Sequence, residues 1–99
     1  KTMADAFNGI FQERIQCINA NEWTPIIINP GSRHPMLILE DDNVTFRVSF
    51  DNTLNPTEQG IPMGGGDIYT FEGVNSVHLT VYISAQTAGA FVILQYTKE

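Results

Sequence analysis

The stretch Gly60-Ile61-Pro62-Met63-Gly64-Gly65-Gly66-Asp67-Ile68-Tyr69-Thr70-Phe71 separates two parts of the sequence that both read as β-structure. Glycine and proline are unfavourable in the interior of a helix or a strand. Residues 60–67 are therefore predicted to be a connection, tight at Gly60–Met63 and loose at Gly64–Gly66. This connection turns the chain and returns it for its second set of strands.

Alternating polarity marks strands on both sides of this connection. Before it, Val44, Phe46, Val48 and Phe50 alternate with polar residues, which predicts a strand over 44–50 with one wet face. After it, Ile68–Phe71 predicts a short strand. Residues 77–83 predict a further strand with one solvent-exposed face. Gln86–Gly89 predicts a hairpin-like link. The last strand, Ala90–Tyr96, is apolar on both faces, so it is expected in mid-sheet or beneath an oligomer contact.

The first half of the chain predicts three further strands and an arm. The strands are Arg14–Asn19, Trp23–Ile28 with Pro25 near its start or on an edge, and Met36–Leu39, whose continuous apolar run suggests cover on both faces. Residues 51–59 predict an exposed, mobile loop. We expect an all-β chain: an antiparallel β-sandwich or jelly-roll-like barrel of about six to eight short strands. Residues 1–12 are predicted to be a short N-terminal arm, and residues 13–99 a single β-sandwich domain.

Composition narrows the classes of function. The chain has 99 residues, 42% of them hydrophobic, which suits one globular domain. Eleven acidic residues against five basic ones give a net charge of −6, which disfavours binding to nucleic acid or to anionic lipid. No apolar run is long enough for a membrane span. Cys17 is the single cysteine, so no intrachain disulfide can form, and a buried core role is favoured over a reactive thiol.

No set of residues converges on catalysis or on a cofactor. The triple glycine lacks the Lys-Ser/Thr of a phosphate loop, and Asp67 after it would repel phosphate. Residues 40–43, Glu-Asp-Asp-Asn, suit a solvated acidic turn better than a calcium loop. His34 and His78 would need Cys17 from a distant strand to make a zinc site. The sequence predicts no enzyme, no cofactor and no metal.

Aromatic residues offer a second class of function, carbohydrate binding, because aromatic faces pack on sugar rings. The candidates are Trp23, Tyr69, Tyr82 and Tyr96. Only Tyr82 is predicted to point outward, since it falls on the wet face of its strand. Core packing or a subunit contact is the commoner fate of such residues, so a glycan partner is possible but not favoured.

The layout of the chain from Trp23 to Tyr96 resembles that of small bacteriophage virion proteins that decorate or reinforce the head. The resemblance covers about three-quarters of the chain and concerns the order of features rather than diagnostic residues. The matching segments are Trp23-Thr24-Pro25-Ile26, Pro30-Gly31-Ser32-Arg33, Met36–Leu39, Val44–Phe50, Gly60-Ile61-Pro62-Met63, Gly66-Asp67 with its aromatic-bearing strand, Leu79–Ala85 and the final hydrophobic strand.

The resemblance implies a non-enzymatic structural protein on the outer surface of a virion, made in the host cytoplasm. It implies homo-oligomerisation, as a trimer or another assembly, and contact with the major capsid protein. The arm residues Phe7, Ile10 and Phe11 are the predicted clamp on a neighbouring chain or on the capsid, because exposed apolar residues need burial. The alternative left open is that these residues cap the end of the sandwich. The competing function is a receptor- or carbohydrate-binding module of a phage fibre or surface protein.

Overall fold

The computed structural model describes residues 10–71 and 79–98, and these residues form an all-β fold. Of the described residues none is helical, which confirms the predicted fold class. The eight described strands are β1 (Ile10–Cys17), β2 (Thr24–Ile28), β3 (Ser32–Leu39), β4 (Thr45–Ser49), β5 (Ile61–Gly64), β6 (Ile68–Thr70), β7 (Leu79–Ala85) and β8 (Ala90–Lys98).

The strands make two antiparallel four-stranded sheets, in the orders β1-β8-β3-β6 (the first sheet) and β2-β7-β4-β5 (the second sheet). Strand β1 pairs with β8, β2 with β7, β3 with β6 and β4 with β5. The chain thus resembles one long hairpin whose tip lies between β4 and β5. This hairpin is rolled up, so that successive strand pairs belong alternately to the first and the second sheet. This order is that of a jelly roll.

The core lies between the two sheets and is built from the alternate residues of each strand. On β4 these are Phe46 and Val48, both fully buried, as the alternation of residues 44–50 predicts. Cys17 is also fully buried, which confirms its predicted place in the core. The largest other buried side chains are Ile26, Ile28, Leu37, Leu39, Val81, Ile83, Val92 and Leu94.

The prediction that residues 60–67 are wholly a connection is wrong, because Ile61–Gly64 is the strand β5. Its residues pair with β4, and Pro62 lies opposite Arg47. β5 is an edge strand, so Pro62 can lack a backbone N–H without breaking a second ladder. The pairing partner is distant in sequence, which is why local residue preferences point elsewhere.

The predicted loose tip at Gly64–Gly66 is a tight crossing between the sheets. A side chain on Gly65 would collide with the backbone of Asp41 and Asp42, in the turn between β3 and β4. Gly66 adopts a φ of +87° and donates its N–H to the carbonyl of Leu39 at 2.6 Å. Two glycines are therefore needed for close approach and for a left-handed backbone, so that β5 can connect to β6.

Several predicted boundaries also change. β1 begins at Ile10 and ends at Cys17, so residues 10–12 belong to the sheet and not to an arm, and the predicted strand 14–19 is displaced. β3 begins at Ser32, with a bulge between Arg33 and Met36. Gln86–Gly89 is no hairpin, since β7 and β8 lie in different sheets. Residues 1–9, 72–78 and 99 lie outside the described part, and with them the predicted start of a strand at Val77.

The predicted loop 51–59 is exposed along most of its length but is tied to the second sheet. The indole Nε1 of Trp23 donates to the carbonyl of Leu54 at 2.8 Å, and the hydroxyl of Ser84 donates to the carbonyl of Pro56 at 3.0 Å. The loop therefore lies back over the outer face of the second sheet.

Candidate functional site

The outer face of the first sheet carries a row of apolar side chains. Ile93 of β8 and Ile68 of β6 both lie opposite Ile38 of β3, so three isoleucines stand abreast on adjacent strands. Ile68 is 55% exposed, and the other members are half-buried. We call this surface the apolar face; it consists of Met36, Ile38, Ile68, Phe91 and Ile93.

Polar side chains border the apolar face. The guanidinium of Arg14 lies 3.7 Å from the centre of the Phe91 ring, and its Nε is 2.8 Å from Oε2 of Glu40. Gln12 donates to Gln95 at 2.6 Å on the same border. An apolar centre with a polar border is the arrangement found in protein–protein interfaces. Within residues 10–71 and 79–98 no third layer of strands covers this face.

The edges of the two sheets are poorly suited to adding a strand from another chain. β6, β5 and β2 have only three, four and five residues, and β5 and β2 each contain a proline. The longer edge strand, β1, places the charged Glu13 opposite the buried Leu94, on the inward side of the ladder. Short strands, prolines and an inward-pointing charge all oppose edge-to-edge pairing. Pairing of another chain with the described sheet edges is therefore disfavoured.

The sequence-predicted arm residues fall in different places. Phe7 lies outside the described residues, and of Ile10 the structure gives the backbone position, opposite Thr97 of β8. Phe11 is partly buried against the core, and its ring stacks on Tyr96 at a centroid distance of 5.6 Å. Phe11 thus packs within the β1–β8 ladder, opposite Tyr96. A partner contact of these three residues stays a prediction.

The four candidate aromatics do not form a platform. Tyr69 packs edge-on against Phe71 at 4.9 Å, Trp23 is tied to the loop, and Tyr96 is only 7% exposed. Burial, together with the Glu13 carboxylate near its hydroxyl, raises the pKa of Tyr96. Tyr82 is half-buried between two inward-facing neighbours on β7, so it points outward, as predicted, on the second sheet.

Side chains of the acidic turn after β3 bind other parts of the fold. Glu40 pairs with Arg14, and Asp41 accepts the backbone N–H of Phe91 at 3.1 Å. Asp67 accepts the N–H of Gly64 at 2.9 Å. In the described part of the chain, no three His, Cys, Asp or Glu side chains come together as metal ligands. His34 is exposed at the β3 bulge, and burial raises the pKa of the Cys17 thiol, which keeps it protonated.

A scan against protein-family models and searches of curated proteins and of solved structures found no match to this chain. Among residues 10–71 and 79–98, no helix has the length and apolar character needed to cross a membrane. The site must therefore be judged on its own geometry. The sequence contained its main signal, the apolar runs at Met36–Leu39 and Ala90–Tyr96, whereas Ile68 could be assigned to the face only from the pairing of β6 with β3.

Proposed function

We propose that this protein is a non-enzymatic structural component of a virion, which decorates or stabilises the capsid through homo-oligomerisation and contact with the major capsid protein. The observation that carries the proposal is the apolar face of the first sheet. Exposed apolar patches with a polar border mark interaction surfaces. The jelly-roll order adds support by analogy, since viral capsid proteins use this fold, although lectins and cupins use it as well.

The occupant of the apolar face is a second copy of this chain. Arg14 pairs with Glu40 at the border, and the Asp41 carboxylate also lies near Arg14. The centre of the apolar face carries no charged side chain, so two copies can approach through it with little like-charge repulsion there. The described edges of both sheets oppose edge-to-edge pairing, which favours a face-to-face contact. A contact between the same face of two copies closes as a dimer, and a trimer or a larger assembly on the outer surface of the capsid needs a second, different contact.

Light scattering after size-exclusion chromatography tests the self-association. The matched pair of variants is Ile68→Lys, on the apolar face, and Ile27→Lys, on the outer face of the second sheet. The two isoleucines are 55% and 56% exposed, and both lie on edge strands. We expect an oligomeric wild type, a monomeric or strongly weakened Ile68→Lys and an unchanged Ile27→Lys. A wild type that is monomeric at high concentration, or equal effects of both changes, would overturn the assignment.

The virion assignment has a separate test, the position of the gene. A gene beside capsid genes supports it, and a gene among those of metabolic enzymes contradicts it.

The second candidate function is recognition of a receptor or carbohydrate. It is favoured by one observation, a polar cleft on the second sheet, away from the apolar face. That cleft has its own chemistry and its own test.

A further inference from the structure

A cleft of about 290 Å³ opens between the second sheet and the loop that follows β4. The hydrogen bonds from Trp23 to Leu54 and from Ser84 to Pro56 hold the loop above the sheet, so the cleft has a fixed wall. Strands β4 and β7 form its floor. Its polar lining is Asn21, Thr45, Arg47, Thr57, Ser84 and Gln86.

Arg47 gives the cleft a positive charge. Of the described residues that line the cleft, it alone carries a charge, although the chain has eleven acidic residues against five basic ones. The backbone of Arg47 is paired on both sides, with Pro62 of β5 and Ser84 of β7, which fixes the base of its side chain. In residues 10–71 and 79–98 no carboxylate forms an ion pair with its guanidinium. A planar guanidinium is the geometric match of a carboxylate, which it can bind through two parallel hydrogen bonds.

The rest of the lining suits hydroxyl groups. The amides of Asn21 and Gln86 and the hydroxyl of Thr45 can each donate and accept hydrogen bonds, and the Thr57 hydroxyl, which donates to Asn55, can still accept one. The volume is at the small end of ligand sites, which begin at about 300 Å³, so it admits roughly one sugar ring. A phosphate dianion would face one arginine within a domain of net charge −6. Pro56 is the one apolar residue among the described residues that line the cleft.

We propose that this cleft binds an acidic monosaccharide unit, a uronic acid or a related sugar, with its carboxylate on Arg47 and its ring hydroxyls on the surrounding amides and hydroxyls. The site lies on the second sheet, so it does not depend on self-association through the apolar face of the first sheet. An assembly built through the first sheet would present one such cleft per copy, facing away from the contact.

Titration of the full chain with methyl β-D-glucuronide, followed by calorimetry and by backbone amide shifts in NMR spectra, tests the proposal. The neutral probe is methyl β-D-glucoside, and the carboxylate-only probe is acetate. We expect the glucuronide to bind and to shift the amides of Thr45, Thr57 and Gln86, and both other probes to bind at least about tenfold more weakly. Equal binding of the glucoside would overturn carboxylate recognition. Equal binding of acetate would overturn sugar recognition, and no glucuronide binding would overturn both.

The matched variants are Arg47→Gln in the cleft and Arg33→Gln on β3 of the first sheet, which remove the same charge from different places. We expect Arg47→Gln to weaken glucuronide binding at least about tenfold and Arg33→Gln to leave it nearly unchanged. Equal losses would show that only the overall charge matters, and the site would be wrong. The shift map of the wild type provides the decisive test if Arg47→Gln does not fold. Light scattering on the same variants separates failure of this site from failure of self-association.

Discussion

Phe11 of β1 stacks on Tyr96 of β8, with ring centroids 5.6 Å apart and ring planes inclined by 18°. The two residues are direct partners in the β1–β8 ladder. Phe11 shields a tyrosine that is only 7% exposed, and Glu13 lies on the same side of β1 near the tyrosine hydroxyl. The first sheet therefore extends into the segment that the sequence assigns to an arm, and Phe11 contributes to folding.

Replacing Phe11 by alanine should lower the free energy of unfolding by about 2 kcal/mol, because a partly buried ring and its stacking contact are both lost. Urea denaturation followed by tyrosine and tryptophan fluorescence measures the change. Gln12→Ala is the control, because this exposed neighbour should change the stability by no more than about 0.5 kcal/mol. If Phe11→Ala keeps full stability but reduces the oligomer mass, Phe11 acts as a clamp on a partner instead.

Strands could be predicted from alternating polarity, as at β4 and β7, and from continuous apolar runs, as at β2 and β8. Phe46 and Val48 are fully buried, whereas Phe50, one residue beyond the end of β4, is 49% exposed and packs against Phe71. The strand β5 could not be predicted, because Pro62 and Gly64 disfavour a strand locally and only pairing with β4 stabilises it. The sequence predicted a sandwich or a jelly-roll-like barrel but not the order of the strands, because that order depends on which distant strands pair.

Replacing Ser32 by alanine should raise the free energy of unfolding by about 1 kcal/mol. The Ser32 side chain is 1% exposed, and its hydroxyl has no hydrogen-bond partner among the described residues. Removing a buried polar group that is unpaired removes a cost of folding. The matched control is Ser84→Ala, which should lower stability by about 1 kcal/mol, since the Ser84 hydroxyl is buried but donates to Pro56. A loss of stability in Ser32→Ala would show that its hydroxyl has a partner.

Asp51 and Asn55 form the same pattern of side-chain hydrogen bonds at two places in one loop. Each side-chain oxygen accepts the backbone N–H of the threonine two residues later at 2.9 Å and its hydroxyl at 2.7 Å. These hydrogen bonds from Thr53 hold the pKa of Asp51 below its ordinary value of 3.8. Because the pKa is lower in the folded chain, the resulting stability is present above pH 3.8 and is lost as the pH falls through the folded value.

Thr53→Val should therefore raise the pKa of Asp51 toward 3.8, since the main cause of the shift, the threonine hydroxyl, is removed. NMR titration of the Asp51 carboxyl carbon measures this. Thr57→Val removes the equivalent hydroxyl from Asn55, which does not titrate, so it should leave the pKa of Asp51 unchanged. An unchanged pKa in Thr53→Val would contradict the assigned cause.

The candidate sites differ in how far the sequence could reveal them. The apolar run on β3 predicted cover on both faces, and the run on β8 predicted a place in mid-sheet or beneath an oligomer contact. These two runs supply Met36, Ile38, Phe91 and Ile93 of the apolar face, which are half-buried. The cleft at Arg47 left no such signal. Its lining comes from β4, β7 and three connecting segments, and hydrogen bonds from Trp23 and Ser84 hold its outer wall. Residues so widely separated in sequence come together only once the sheet order is known.

In the crossing from β5 to β6, Gly65 leaves the least space for a side chain. Gly65→Ala should lower the free energy of unfolding by about 2 kcal/mol or more, because the added methyl group collides with the backbone of Asp41 and the turn before β4 must move. Thermal and urea denaturation measure the loss. Gly64→Ala is the matched control: its methyl group would meet only the Asp67 carboxylate, at 3.7 Å, so a change within about 0.5 kcal/mol is expected. Equal losses in the two variants would contradict the close approach of Gly65 to Asp41 as the cause. The larger loss in Gly65→Ala would instead show that close contact between the β3–β4 turn and the β5–β6 crossing joins the two sheets at this end of the roll.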